Sequence, residues 1–225
     1  MVKAYLISTK IFEHNDIYDK CLEHLDVSRK ERINKIKNTK SKIESLAAGT
    51  LLAYSLNIEN IDISNHQILK GENGKPHFID LPNINFNLSH TDSYAMCVLS
   101  DNVIGCDIQK HVKYNINIAK RFFNKEEYQS ILDEPNDGIR ARLFYDYWTA
   151  KEAFIKETGA GLSMELNSFY VDIKKGQIIA PLDNKHYFIN YKAIDTYSIA
   201  ICSPINNLPA NLSFVDEKDL FEYIF

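Results

Sequence analysis

A single acid stands in an otherwise apolar, strand-like run, Val103-Ile104-Gly105-Cys106-Asp107-Ile108-Gln109. An ion in a core without a partner is very costly, so Asp107 calls for a counter-charge. Candidates lie on a long helical stretch farther on, where Trp148, Glu152 and Lys156 recur every four residues and share one face. A Glu followed four residues later by a Lys is also the commonest favourable surface pair, contributing about 0.2–0.5 kcal/mol. That reading would leave the only tryptophan exposed on the same stripe. A stripe facing a cleft instead lets Glu152 meet Asp107 across it. Two close carboxylates repel unless a proton or a cation joins them. The natural cation is Mg²⁺, a hard ion held by one or two carboxylates together with water and phosphate oxygens. Phosphate in turn needs cationic donors, and Lys75, His90, Lys156 and the basic run near residue 30 supply them.

The elements that must position these groups follow from apolar periodicity. Residues 2–8 alternate as a strand, and Asp16–Leu25 places Ile17, Cys21 and Leu25 on one helical face. Ser28 is the expected N-cap of a basic helix. Seven basic residues fall between 29 and 42 (Arg29, Lys30, Arg32, Lys35, Lys37, Lys40, Lys42) against the single acid Glu31. A solvated face and an anion site compete for that run. Residues 41–57 are apolar on most sides and form a central helix. Gly71 to Phe78, with two glycines and a proline, is a turn cluster leading to the strand pair around Phe86–Leu88 and Tyr94–Val98. Two helices, Ile116–Phe123 and one capped by Asn124, precede the longest, Arg140–Thr158, which Gly159 stops. Short strands at 169–173, 177–180, 187–191 and 198–202 and a helix at 217–225 complete the chain. Two echoes occur in the same order: Thr91–Cys97 with Asp195–Cys202, and Arg32–Lys35 with Arg121–Lys125. They predict an α+β fold of two similar subdomains, residues 1–104 and 105–225, related by pseudo-two-fold symmetry, with the Asp107 strand at their junction. Ligands favour such junctions.

Bulk properties narrow the setting. With 225 residues, 45% hydrophobic and 25% charged, the chain is an ordinary soluble protein with room for two subdomains. A net charge of −4 argues against a general nucleic-acid-binding surface. The amino terminus reads as a strand, since Lys10 interrupts a short apolar run; a signal peptide would not look like this. The uncharged run 45–58 is too short and too polar to span a bilayer. The four cysteines form no CxxC pair and suit buried free thiols in a reducing compartment, the cytoplasm.

GKPHF, FNLSH, GCDIQ, RFFNKEEY and WTAKEAFIKETGAGLS, in this order and spacing, resemble the 4′-phosphopantetheinyl transferases of the surfactin-synthetase-activating type. The similarity runs from about residue 27 to 202, and WxxKExxxK preceded by GxD is its most specific part. The resemblance implies transfer of 4′-phosphopantetheine from coenzyme A to a serine of an apo acyl or peptidyl carrier protein, leaving 3′,5′-ADP. Asp107 and Glu152 are then Mg²⁺ ligands. Glu152 also serves as base toward the serine, directly or through water, and Lys156 stabilises the leaving phosphate. Lys75 and Pro76 line the nucleotide end, Ser89 and His90 face phosphate, and Arg29, Arg32 and Ser45 match positions for the 3′-phosphate. Many relatives read GxDxE where this chain has Gln109, whose amide oxygen brings no charge; it is expected to reach the metal weakly or through water. A monomer is expected, the repeat supplying within one chain an interface that a smaller relative builds between subunits. Two other functions compete: an impaired homologue that only binds coenzyme A or carrier, and a nucleic-acid binder using the basic helix, which lacks interleaved aromatics.

Overall fold

The computed structural model describes residues 1–181 and 184–223. In its first half, strand β1 (Val2–Ser8) leads to helices α1 (Asn15–Glu23), α2 (Val27–Lys35) and α3 (Thr39–Asn57). A small hairpin follows, β2 (Ile68–Lys70) with β3 (Pro76–Phe78), then a second hairpin, β4 (Asn85–Thr91) with β5 (Tyr94–Ser100). The second half opens on β6 (Gly105–Lys110) and continues through α4 (Ile116–Phe122), α5 (Lys125–Asp133) and α6 (Asp137–Thr158). Strands β7 (Tyr170–Asp172), β8 (Gln177–Ile179), β9 (Lys185–Tyr191) and β10 (Tyr197–Ser203) come next, then β11 (Ser213–Val215) and α7 (Glu217–Tyr223). The fold is α+β, as expected.

Two sheets carry the architecture, ordered β11-β1-β5-β4 and β6-β10-β9-β8-β7. Each half runs from a strand through helices to a hairpin whose last strand pairs antiparallel with the first: β5 beside β1, β10 beside β6. β11 lies parallel to β1, which returns the end of the chain to the first sheet. α3 has apolar residues all round and is buried along most of its length, packed in one core with the first sheet. α6 packs over the second sheet in another. A third cluster joins the sheets, with Leu6, Met96 and Val98 meeting Cys106, Ile108, Ile199 and Ile201. Full burial of each such side chain is worth about 1.5–3 kcal/mol, so this seam is a rigid base for anything at its edge.

Local signals explain the helix ends. Asn136 accepts from the Gly138 and Ile139 amides to start α6, and Gly159 ends it at φ +70°. Gly105 permits the contact between α6 and β6: a Cβ there would lie 1.9 Å from the Ala153 carbonyl oxygen. One expectation is corrected. Asp26, not Ser28, caps α2, its carboxylate accepting the Arg29 amide at 2.9 Å, while Ser28 sits in the first turn and donates to Asp26. A carboxylate caps as well as a hydroxyl and adds charge where the helix dipole favours it. The terminal helix is described to Tyr223; residues 224–225 lie outside the described residues. The four cysteines are buried and free. Among the described residues, no helix is long and apolar enough to cross a membrane.

Candidate active site

Asp107 lies on β6, where the edge of the second sheet meets β4 at the edge of the first. It is 2% exposed, yet well supplied with partners. Lys156 donates to Asp107 Oδ1 at 2.6 Å, Ser89 to the same oxygen at 2.9 Å, and Gln109 Nε2 to Oδ2 at 3.0 Å. The lone acid of the sequence is thus paired through α6, but with Lys156 directly. Lys156 also donates to Ser89 Oγ at 3.1 Å. Burial works against the Lys156 ammonium, but the Asp107 carboxylate, with Cys106 and Glu152 acting the same way, holds the lysine above its ordinary pKa.

Glu152, one turn earlier on α6, is half-buried and makes no hydrogen bond or ion pair with any described residue. Burial pushes its pKa up, and the nearby Asp107 charge pushes the same way, with Lys156 opposing. The two carboxylates therefore feel each other's charge, and Glu152 keeps all its lone pairs among the described residues. Trp148 is packed among Phe122, Phe123 and Phe144, so the stripe it shares with Glu152 and Lys156 faces inward. No group of three or more His, Cys, Asp or Glu side chains is placed to hold a metal among the described residues. A cation here would rest on two carboxylates, with the remaining oxygens drawn from Gln109, water or a phosphate ligand. That donor set fits a hard divalent ion that binds together with phosphate.

A basic region sits beside this centre. Arg32 donates to Ser45 Oγ at 3.2 Å, joining α2 to α3, and Arg29 is buried against Gly49 with Asp26 at 3.8 Å. Burial, with Arg32 nearby, brings the Arg29 guanidinium down to about 10. His90 faces Glu44 at 3.5 Å; burial holds its pKa below the ordinary value, and Lys156, Arg32 and Arg29 act in the same direction. Lys75 behaves differently. Its ammonium donates to the main-chain carbonyls of Ile104 at 3.1 Å and Glu157 at 2.7 Å, fastening the turn cluster to β6 and α6.

Three cavities link these groups. The first, about 380 Å³, is lined by Arg29, Arg32, Gly74 and Pro76. The second, about 230 Å³, shares Gly74 and Pro76 with it and adds Lys75, Asn87 and Lys156. The third, about 490 Å³, shares Lys156 and continues past Glu152 to Phe122, Met164 and Leu166. Shared wall residues set them end to end as a trough, with Arg29, Arg32 and Lys70 beside Asp26 at one end and Phe122, Met164 and Leu166 beside Arg121 and Glu165 at the other. Sequence reasoning missed Asn87 and Glu44. The pairing of Asn87 with Ser89 two residues on, same side of a strand, was the available signal. It also missed that Lys151, the neighbour of Glu152, forms a sealed ion pair with Glu127 at 2.8 Å. At the end of α4, Phe123 is core, while its neighbour Phe122 lines the third cavity.

Residues 103–202 match the family model of the 4′-phosphopantetheinyl transferase superfamily. The chain is 35% identical to 4′-phosphopantetheinyl transferase Sfp of Bacillus subtilis (strain 168), over 71% of this chain and 73% of that one. It is 30% identical to 4′-phosphopantetheinyl transferase ffp of Bacillus subtilis, over 90% and 92%. The corresponding figures for 4′-phosphopantetheinyl transferase gsp of Aneurinibacillus migulanus are 33%, 78% and 74%. On the strength of these matches, which span most of both chains, the chain belongs to the 4′-phosphopantetheinyl transferase superfamily.

Proposed function

We propose that this chain transfers 4′-phosphopantetheine from coenzyme A to a serine of an apo acyl or peptidyl carrier protein. The observation that carries the reading is the trough. Its arginine-lined end suits a phosphorylated nucleotide, its centre holds Lys156 above Asp107, and its apolar end suits the pantetheine arm and the incoming carrier. In this reading the serine hydroxyl attacks the β-phosphorus of coenzyme A. The bond from that phosphorus to the bridging oxygen breaks, and 3′,5′-ADP leaves with the electron pair. Glu152, whose carboxylate is uncommitted, takes the serine proton directly or through water. Lys156 stands ready to neutralise charge on the leaving phosphate, and such preorganised charge is usually the larger contribution.

Asp107 and Glu152 would hold Mg²⁺, with Gln109 contributing its amide oxygen weakly or through water. When bound, the ion supplies Lewis-acid neutralisation of the pyrophosphate. Arg29, Arg32 and Ser45, with His90, are assigned to the 3′-phosphate, and Pro76 to the nucleotide. Ser89 bonds Asp107 and Lys156, so its share in phosphate binding comes through them. Lys75 is assigned a supporting role at the nucleotide end, holding the turn cluster by its two carbonyl bonds. We further read the chain as two subdomains, 1–104 and 105–225, related by a pseudo-two-fold axis, the last strand and helix crossing to the first. We take it to act as a cytoplasmic monomer, without nucleic acid or membrane as partner.

Mass spectrometry of several apo-carriers incubated with the chain, coenzyme A and Mg²⁺ tests this. The expected result is one added phosphopantetheine per carrier, absent when the acceptor serine is replaced by alanine. No addition to any carrier would sink the reading and favour a module that only binds. Arg32→Ala should raise KM for coenzyme A by about 10-fold, the loss of one charge-assisted contact, while leaving dephospho-coenzyme A unaffected. Equal effects on both substrates would remove the 3′-phosphate assignment.

A further inference from the structure

β4 and β6 run side by side but belong to different sheets, so no main-chain ladder joins them. Two side chains on one face of β4 take its place. Asn87 Oδ1 accepts the Cys106 amide at 2.8 Å, and Ser89 Oγ accepts the Ile108 amide at 3.3 Å. Those amides flank Asp107, and both acceptors are buried at 5% exposure. Ser89 also touches Asp107 and Lys156, whereas Asn87 bonds the main chain of β6. A buried amide on a strand between Phe86 and Leu88 adds little to packing that an apolar side chain would not. Its specific contribution is an acceptor at a fixed height on β4.

We propose that Asn87 is a positioning residue for the transfer reaction: it fixes β6 against β4, and thereby fixes the Asp107 carboxylate relative to Lys156 and Glu152. This rests on the role assigned to Asp107 above. Removing the acceptor leaves the Cys106 amide buried without a partner and frees β6 to move at the point where the acid is carried. A displacement of about 1 Å at a reacting centre can cost about 10²-fold in rate. Asn87 also lines the 230 Å³ cavity with Lys75, Pro76 and Lys156, so a direct ligand contact is the alternative. The two roles differ in what they change. Positioning acts on kcat, a ligand contact on KM for coenzyme A.

The test compares Asn87→Leu, of the same shape without an acceptor, with Asn87→Asp, which keeps the oxygen and gains a charge that Lys75 and Lys156 border. In Asn87→Leu, kcat should fall about 10²-fold with KM for coenzyme A changed by less than about 3-fold. By NMR hydrogen exchange in the absence of substrate, the Cys106 amide should exchange at least about 10-fold faster, while amides of β9 and β10 keep their rates. Asn87→Asp should recover the protection of Cys106 and most of kcat. Should Asn87→Leu not fold, Asn87→Ala carries the same expectations. Unchanged kcat, a loss confined to KM, or protection lost evenly across the second sheet would each overturn the role. Transfer abolished in Asp107→Ala yet retained in Asn87→Leu overturns positioning alone. A wild-type chain that transfers nothing overturns the reading beneath it.

Discussion

Helix α6 carries two lysines five residues apart, each paired with an acid from another element, and the two pairs do different work. Lys151 and Glu127 are each 0% exposed in their side chains. Lys151 also donates to the carbonyls of Leu166 at 2.8 Å and Phe169 at 3.1 Å. Glu127 accepts the Asn124 amide at 2.8 Å and the Val171 amide at 2.7 Å, closing a capping box at the start of α5. Both carboxylate oxygens are used and no solvent reaches them. Lys156 and Asp107 form a pair of the same chemistry, but Lys156 is 29% exposed and borders the trough, and Glu152 beside it has no hydrogen-bond or ion-pair partner among the described residues. Burial opposes charge at both sites: it raises the Glu127 pKa and lowers that of Lys151, and it raises that of Glu152. In the sealed pair the cost is offset by complete hydrogen bonding, and the pair holds helix, loop and strand together. At the open pair acceptor capacity is left over beside a cavity. On the function proposed above, that surplus is what the reaction uses.

The largest expected effect would break this contrast if it failed. Asp107→Ala or Glu152→Ala should abolish transfer, read by carrier mass, while circular dichroism and the urea midpoint stay near wild type for Glu152→Ala, whose carboxylate bonds none of the described residues. Asp107→Ala also removes the acceptor of Lys156, Ser89 and Gln109, so a loss of stability accompanies it. Transfer retained in both variants would show that the open pair is structural too.

The same substitution at the two lysines sharpens the contrast. Lys151→Met should cost about 3–5 kcal/mol, because it strands the Glu127 charge in a dry site. Adding Glu127→Gln should recover part of that, since the neutral amide is cheaper to bury than an orphaned ion. Activity per folded molecule should stay within a few-fold of wild type. Lys156→Met should reverse the pattern, losing transfer at a smaller cost in stability, because Ser89 and Gln109 still donate to Asp107. Urea melts and single-turnover rates on the two variants decide it. Equal stability losses, with equal rate losses per folded molecule, would erase the distinction.

Much of this contrast was legible in the residues, though unevenly. The stop of α6 at Gly159 followed from apolar spacing, and the cost of an unpaired buried acid pointed to α6, which supplies Lys156 to Asp107. The Asn124…Glu127 spacing announced the start of α5. What spacing does not carry is the third partner. Lys151 reads as one more polar residue on a helix until the loop at 166–169 folds over it, because its carbonyl partners have no sequence signature. Lys75 reads as a loop cation suited to phosphate, and its capture by two carbonyls depends on how close the turn cluster lies to the end of α6. Ser28 reads as a cap as well as Asp26 does; which one is chosen depends on where the chain leaves α1. A cleft was expected, but the course of the trough could not be read from spacing, since its walls come from α2, the β2–β3 turn, β4, α4, α6 and the segment after it.

A third ion pair supplies the exposed limit of the series and the smallest expected effect. Asp92, in the turn between β4 and β5, is bracketed by Lys40 from the start of α3 and Lys110 at the end of β6. Hydrogen bonds from Lys110 and Lys40 hold its carboxyl down to about 2 from 3.8. A carboxyl depressed in the folded state contributes stability above its unfolded value, and that contribution is lost as pH falls from 3.8 toward about 2. Asp92→Asn should therefore flatten the wild-type fall in urea midpoint across that window, with the two proteins converging below it. Asparagine accepts the left-handed backbone at this position, φ +39°, so the comparison carries no added strain. The difference should shrink in 1 M salt, because these charges are solvated and about 3 Å of screening length then suffices to mask them. A salt-independent difference would mean that Asp92 behaves like the sealed pair, and exposure would no longer order the three.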